Sequence, residues 1–162
     1  MDESSPGTTR PRRRDYEKIL STLETRWKRR PADRAKMMQD IVDGLWEAFG
    51  DRIISWCGFY IITSDGQPSV LGPHQEQAAI SYGVQDICRR AVAERATQVV
   101  LEAHNESGHA AGPEIAIPVI DIKGGVLVVM DVHFAQNAEC GDEDRRWLER
   151  ITRILEQPLS DR

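Results

Sequence analysis

The sequence lacks the features of a membrane or secreted protein. No apolar run approaches the ~18 residues that a membrane span needs, and the N-terminal segment MDESSPGTTRPRRR contains no apolar h-region of a secretory signal. There are only three cysteines, Cys57, Cys88 and Cys140, and no C-x-x-C, so neither a disulfide framework nor a zinc knuckle is predicted. We therefore expect a cytoplasmic protein with no membrane partner.

Common catalytic motifs and a basic surface are also missing. No G-x-S-x-G, P-loop or G-x-G-x-x-G occurs. The net charge is −5, of which residues 1–14 carry +2 and the rest of the chain −7. An acidic body predicts no nucleic-acid partner. We interpret residues 1–14 as a disordered basic tail and residues 15–158 as one domain, because 162 residues suffice for one ordinary core.

What is present is an ordered series of helical and strand patterns. Apolar residues recur at helical spacing over 16–27, 37–49 and 84–95, and again after GDED near the C-terminus. Stretches rich in β-branched residues, such as IISWCGFYIIT, EIAIPVI and VLVVMDVHF, are typical of strands. Gly-Gly between the last two stretches favours a hairpin. The order predicts an α+β fold, a central antiparallel sheet with helices packed on it.

Two strand patterns place polar or aromatic side chains on one face of the sheet. In WCGFY, alternation puts Trp56 and Tyr60 on one face. In VLVVMDVHF it puts Asp131 and His133 together on a face that is otherwise apolar. Burying a charge without a partner is costly. Asp131 therefore lies either at the solvent end of its strand or in a polar pocket, and the pattern leaves both open.

The histidines lie near loops or strand ends in the second half of the chain, at His74, His104, His109 and His133. Imidazole and carboxylate are ordinary metal ligands. The H-x4-H spacing of His104 and His109 matches no metal motif, however, and we predict no metal and no cofactor. A metal site built from His133, Asp131, Glu114 and a loop histidine stays open as a variant.

Each cysteine has its own predicted role. Cys88 lies near the start of a predicted helix, where the helix dipole and the two following arginines favour a thiolate. A buried small apolar residue is the commoner fate of a free cysteine, and we favour it for Cys88. Cys57 is predicted to lie in the core, and Cys140, in the loop before the last helix, to be exposed.

Several blocks of sequence together resemble one family. The blocks are SWCGFYIITSDGQPSVLGPHQ, YGVQDICRRAVAERATQVVLEAHNESGH, EIAIPVIDIKGGVLVVMDVHF and GDEDRRWLERI. They are similar to the free methionine-R-sulfoxide reductases, which are small single-domain GAF proteins. The resemblance runs from about Tyr16 to Leu155. It implies a GAF-like domain over residues 15–158, and GAF domains often form homodimers.

The resemblance also implies a ligand pocket. In the family, the tryptophan and tyrosine of a W-x-G-F-Y block, which match Trp56 and Tyr60, form part of the pocket wall. Polar residues of the family's pocket hold free methionine sulfoxide. Glu114 matches the glutamate that opens the family's E-I-x-x-P strand. Asp131 matches the first acid of the family's late D-x-D segment, and His133 stands in place of the second acid. The loop histidines look like part of a lid. We therefore predict a ligand-binding set of Trp56, Tyr60, His104, His109, Glu114, Asp131 and His133, for a small amino-acid-like ligand.

The family's cysteine chemistry is only partly represented. The family's attacking cysteine lies three residues after the second histidine of H-x4-H, and here that position is Gly112. The first of two earlier family cysteines falls near Ala78 or Ala79, and only the second survives, as Cys88. The only candidate catalytic residue is therefore Cys88.

Three functions remain, in order of preference. The first is a GAF-domain module that binds a small molecule without reducing it. The second is a divergent L-methionine (R)-S-oxide reductase that uses Cys88 with an external thiol. The third is a dimerising interaction module with a vestigial pocket.

Overall fold

Four helices and seven strands make up the part of the fold that the structure describes. The computed structural model describes residues 10–50, 52–76, 86–101, 103–104 and 110–156. The helices are α1 (Arg13–Arg29), α2 (Arg34–Phe49), α3 (Asp86–Glu94) and α4 (Asp142–Arg153), and a 3-10 turn, Ile154–Glu156, follows α4. The strands are β1 (Ile54–Ile62), β2 (Pro68–Glu76), β3 (Gln98–Val100), β4 (Ala103–His104), β5 (Ala110–Ala111), β6 (Glu114–Ile120) and β7 (Val126–Phe134).

The main sheet has five strands in the order β2-β1-β7-β6-β3, and every neighbouring pair is antiparallel. β7 is therefore the central strand, between β1 and β6. Two hairpins, β1–β2 and β6–β7, supply four of the five strands, and the turn of the second contains Gly124 at φ 90°. The α+β prediction is confirmed. The short β4–β5 pair forms a separate two-stranded sheet that was not predicted.

The sheet buries a different cluster on each face. On one face, α1, α2 and α4 enclose the large core together with the alternate residues of β1, β6 and β7 that include Cys57, Phe59 and Met130. On the other face, α3 covers a smaller cluster that contains Trp56, Tyr60, Ile87, Cys88, Ala91, Ala116 and Val129. The period-two alternation of the strands explains this division. The predicted placement of Trp56 and Tyr60 on one face is correct.

The helix ends follow ordinary capping chemistry. Asp33 precedes α2, and its side chain accepts a hydrogen bond from Lys36 N at 2.8 Å. At the start of α4, the Asp144 side chain accepts a hydrogen bond from Gly141 N at 2.8 Å. The acids of this first turn also suit the positive end of the helix dipole.

The start of α1 differs from the boundary read from the sequence. α1 begins at Arg13, so the last two residues of the predicted tail are helical, and Pro11 before them is buried. Residues 1–9 lie outside the described residues. Helix α3 is described from Asp86 to Glu94, and the predicted start at residue 84 lies outside the described residues, as do all of residues 77–85. No helix within the described ranges has the length and apolar character to cross a membrane.

Candidate functional site

The strand register brings three predicted site residues into one row across the sheet. His133 on β7 lies opposite Trp56 on β1 and opposite Glu114 on β6. Asp131, two residues earlier on β7, occupies the same face of the strand. The row lies on the face that α3 covers, because Trp56 belongs to the smaller cluster.

A buried polar cluster forms where these side chains meet. His133 Nε2 lies 3.0 Å from Asp131 Oδ2 and 3.1 Å from Glu114 Oε2. The exposed fraction is 0% for Asp131 and 3% each for Glu114 and His133. The interpretation of Asp131 as a strand end in water is therefore wrong. Because β7 is the central strand, its end has a neighbouring strand on both sides, and Asp131 lies in a buried polar cluster instead.

Opposite charges set the protonation of the cluster. Burial alone would lower the pKa of His133, but the Asp131 charge and hydrogen bonds to Asp131 and Glu114 raise it to about 10. Burial and the neighbouring Asp131 charge raise the pKa of Glu114 to about 8. Burial opposes ionisation of Asp131, yet the His133 charge holds its pKa below the usual value. These shifts favour an Asp131–His133 ion pair beside a Glu114 carboxyl that is harder to ionise than usual.

Aromatic rings stand beside this cluster. The Trp56 ring stacks with Tyr60 at 5.7 Å between centroids and with His74 at 6.0 Å, and it meets His133 edge-on at 5.7 Å. Gly58 makes the arrangement possible, since a Cβ there would lie 2.7 Å from Trp56 Cη2. Burial raises the pKa of Tyr60, so its hydroxyl stays neutral. The rings form a flat apolar wall next to charged groups, and such surfaces are typical of small-molecule sites.

Helix α3 carries Cys88 to the same place. Cys88 is fully buried, as predicted, and packs in the smaller cluster. A ligand atom from each of Cys88, Glu114 and Asp131 lies within 4.8 Å of the other two. The buried Cys88 thiol is therefore part of the polar site and also of the packed cluster. From the sequence, a chemical role and a buried apolar role were alternatives for Cys88.

The other two cysteines lie away from the site. Cys57 is fully buried in the large core, and burial raises its pKa to about 12. The prediction that Cys140 is exposed is wrong, because its loop packs against the large core and leaves it half-buried. Burial, with a smaller effect from Asp144, raises the pKa of Cys140 to about 12.

Some loop residues of the predicted site lie outside the described residues. His104 lies in β4, but its side chain is not described, and His109, Ala78 and Ala79 lie outside the described residues. Gly112 is described and buried. A Cβ on Gly112 would overlap the carbonyl oxygens of Phe134 and Ala135. This backbone therefore has no space for a side chain at position 112.

His74 is not in the predicted ligand-binding set, but its ring stacks on Trp56. It lies on β2 opposite Gly58, and its Nδ1 is 3.0 Å from Gly72 O. The sequence could have assigned His74 to the site, because it lies in the hairpin strand that follows WCGFY. A residue that pairs with a glycine on the neighbouring strand has room for a ring. His74 extends the aromatic wall beyond the residues predicted.

Comparisons with known proteins agree with this architecture. No protein-family model matches the chain. The free methionine-R-sulfoxide reductase of Saccharomyces cerevisiae is 28% identical over 122 residues, which span 68% of this chain and 67% of that protein. The Neisseria meningitidis free methionine-R-sulfoxide reductase, solved in complex with its substrate, is 26% identical with a TM-score of 0.71, covering 91% of this chain and 90% of that one.

A second solved structure supports the fold alone. A GAF sensor protein from Burkholderia vietnamiensis superposes with a TM-score of 0.67 at 23% identity, over 97% of this chain and 91% of that one. The chain therefore has the GAF fold, and it resembles the free methionine-R-sulfoxide reductases in sequence and in structure.

Proposed function

We propose that this GAF-fold chain, which resembles the free methionine-R-sulfoxide reductases, binds a small amino-acid-like molecule and does not reduce it. The observation that carries the proposal is the buried Glu114–His133–Asp131 cluster beside the stacked rings of Trp56 and Tyr60. Polar groups that orient a ligand next to an apolar wall are what such a ligand requires.

The chemistry of the cluster indicates the class of ligand. A carboxylate such as Asp131 can accept hydrogen bonds from an ammonium group, and the aromatic wall can hold an apolar or thioether-like end. His133 contacts both carboxylates and offsets their charge. A ligand without net positive charge, such as the zwitterion of methionine sulfoxide, is therefore favoured. The reductase from Neisseria meningitidis has been solved with its substrate, which supports a small ligand for this fold.

The proposal that reduction is absent depends on position 112. The resemblance assigns the attacking cysteine to this position, and glycine has no sulfur with which to attack a sulfoxide. The close approach of the Phe134 and Ala135 carbonyl oxygens supports a backbone adapted to glycine. A site without its nucleophile does not inherit the activity of its fold.

The test is the thermal stability of the purified protein with free methionine-R-sulfoxide, with the S-form and methionine as controls. A ligand that binds only the folded state stabilises it, by about 2.7 kcal/mol at a hundredfold excess over Kd. We expect a selective rise in Tm with the R-form. Asp131→Asn should remove the rise, and Asp65→Asn, in the exposed β1–β2 turn, should keep it. No shift with any of the three at millimolar concentration would refute a methionine-sulfoxide pocket.

A reductase that uses Cys88 is the second candidate, and the proximity of the Cys88 thiol to the acids favours it. The Cys88 thiolate would attack the sulfoxide sulfur, whose oxygen takes two protons and leaves as water. An external thiol would then attack the Cys88 sulfur, release methionine and form a mixed disulfide, and a second external thiol would reduce that disulfide and regenerate Cys88. Turnover by the wild type that Cys88→Ala abolishes would support this candidate, and no turnover with retained binding supports the binding module.

The third candidate is a dimerising interaction module with a vestigial pocket. It predicts a stable homodimer and no change in Tm with any ligand. Sedimentation of the purified chain measures the first and the Tm series measures the second. A cytoplasmic location, the homodimer and the absence of a nucleic-acid partner stay predictions.

A further inference from the structure

We propose that Cys88, Glu114 and Asp131 form a binding site for one divalent transition-metal ion. A ligand atom from each residue lies within 4.8 Å of the other two, and all three residues are buried. The residues come from three different elements: α3, the first position of β6 and the central strand β7. Side chains on helices and strands are held more precisely than side chains on loops.

The spacing suits a small coordination sphere. Metal–oxygen bonds of about 2.0–2.2 Å and a metal–sulfur bond of about 2.3 Å place tetrahedral ligand atoms about 3.3–3.7 Å apart. The observed limit of 4.8 Å therefore requires only small side-chain adjustments. A thiolate with two carboxylates favours zinc, cobalt or iron, whereas magnesium and calcium prefer ligand sets made of oxygen alone.

The Asp131 carboxylate supplies a second indication of a cation site. Its Oδ2 contacts His133 Nε2 at 3.0 Å. Its Oδ1 is buried and makes no hydrogen bond of ordinary geometry within the described residues, although the Cys88 thiol and the Glu114 carboxyl lie near enough to help lower the pKa of Asp131. A buried acceptor without a well-formed hydrogen bond is costly and uncommon. A metal ion held by Asp131 and Cys88 would satisfy this oxygen.

His133 has a positioning role in this site. Its Nε2 contacts one oxygen of each carboxylate ligand, at 3.0 and 3.1 Å. Contacts of this kind orient metal ligands, and their removal typically lowers metal affinity about 10–100-fold. The proposal departs from the expectation of no metal. Compared with the metal-site variant considered from the sequence, Cys88 takes the place of the loop histidine, and His133 positions the ligands instead of being one.

The test is titration of chelator-treated protein with Co²⁺, followed by absorption spectroscopy. We expect one cobalt ion per chain, with d–d bands and a thiolate-to-cobalt charge-transfer band that Zn²⁺ displaces. Cys88→Ala should abolish the charge-transfer band, whereas Cys140→Ala should leave it unchanged. Glu114→Gln, which preserves the side-chain shape, should weaken binding at least about tenfold, as should His133→Asn while the charge-transfer band persists at saturation.

Two results would overturn the proposal: no charge-transfer band at one equivalent of Co²⁺, or a band that persists in Cys88→Ala. Circular dichroism of each variant establishes that it is folded. The metal site does not depend on the proposed amino-acid ligand, because cobalt is titrated without it. The methionine-sulfoxide Tm series is run with chelator present, so either proposal can fail while the other stands.

Discussion

The resemblance assigns the attacking cysteine to position 112, where this chain has a glycine. Replacing Gly112 should show whether the backbone around it tolerates a side chain. Gly112 is buried where the loop meets the end of β7, and Pro113 O accepts a hydrogen bond from Phe134 N at 2.8 Å. A Cβ would overlap the Phe134 and Ala135 carbonyl oxygens and lie 2.6 Å from the Ala135 carbonyl carbon. Backbone atoms cannot rotate away, so the chain must shift.

The cost can be estimated from two opposing effects. Overpacking of a tight site costs about 1–3 kcal/mol. Glycine to alanine lowers the entropy of the unfolded chain and returns about 0.4–1 kcal/mol. We expect Gly112→Ala to reduce the free energy of unfolding by about 1–2 kcal/mol. Gly112→Cys should be destabilised at least as much and should not gain reductase activity.

Urea denaturation measures the change, with Gly44→Ala as the matched control. Gly44 lies within α2, and a Cβ there would make an ordinary 3.5 Å contact with Ile19. Alanine should therefore stabilise that helix by about 0.5–1 kcal/mol. The two substitutions are chemically identical and should move the urea midpoint in opposite directions. A Gly112→Ala midpoint equal to or above the wild type would refute the reasoning.

Three further predictions concern stability and cysteine reactivity. Tyr16→Phe removes the hydroxyl that donates to buried Asp144 Oδ1 at 2.9 Å, so the free energy of unfolding from urea melts should fall by about 1–3 kcal/mol; an unchanged value would contradict it. The pKa values of Cys57 and Cys140 are raised to about 12, so at pH 8 roughly one thiol in ten thousand is ionised. Alkylation of the folded protein should be slow at both and should quicken as the pH rises, which mass spectrometry of tryptic peptides measures; rapid labelling at pH 8 would count against it. Gly124→Ala, at φ 90°, should lower stability by about 1 kcal/mol in thermal melts, and no loss would show that the turn accommodates a side chain.

The strand pattern predicted faces well, because alternation is a local property of the chain. It placed Asp131 and His133 on one face of β7 and Trp56 and Tyr60 on one face of β1, and the structure agrees. Which of these residues meet depends on register between distant strands. The contact of Trp56 with His133 could not be derived from either strand alone.

The local sequence pattern could not predict which of these residues are buried or where helix α3 packs on the sheet. Asp131 is buried because β7 has a neighbour on each side, and the strand order is not encoded in the strand itself. Cys88 reaches the acids because α3 lies over this face of the sheet. The half-buried state of Cys140 depends on how its loop packs on the core. All three outcomes need contacts between distant segments, which local periodicity does not describe.

The pairing of β1 with β7 has a consequence for how the molecule acquires its site. Ser55 Oγ donates to His133 O across 78 positions of sequence, and the whole central pair joins segments this far apart. Closing such a loop is entropically expensive, and folds dominated by distant contacts form slowly. The two hairpins can pair locally, but neither contains the full site. Trp56 and His133 meet only when the hairpins join, so recovery of binding after dilution from denaturant should report the final assembly of the sheet.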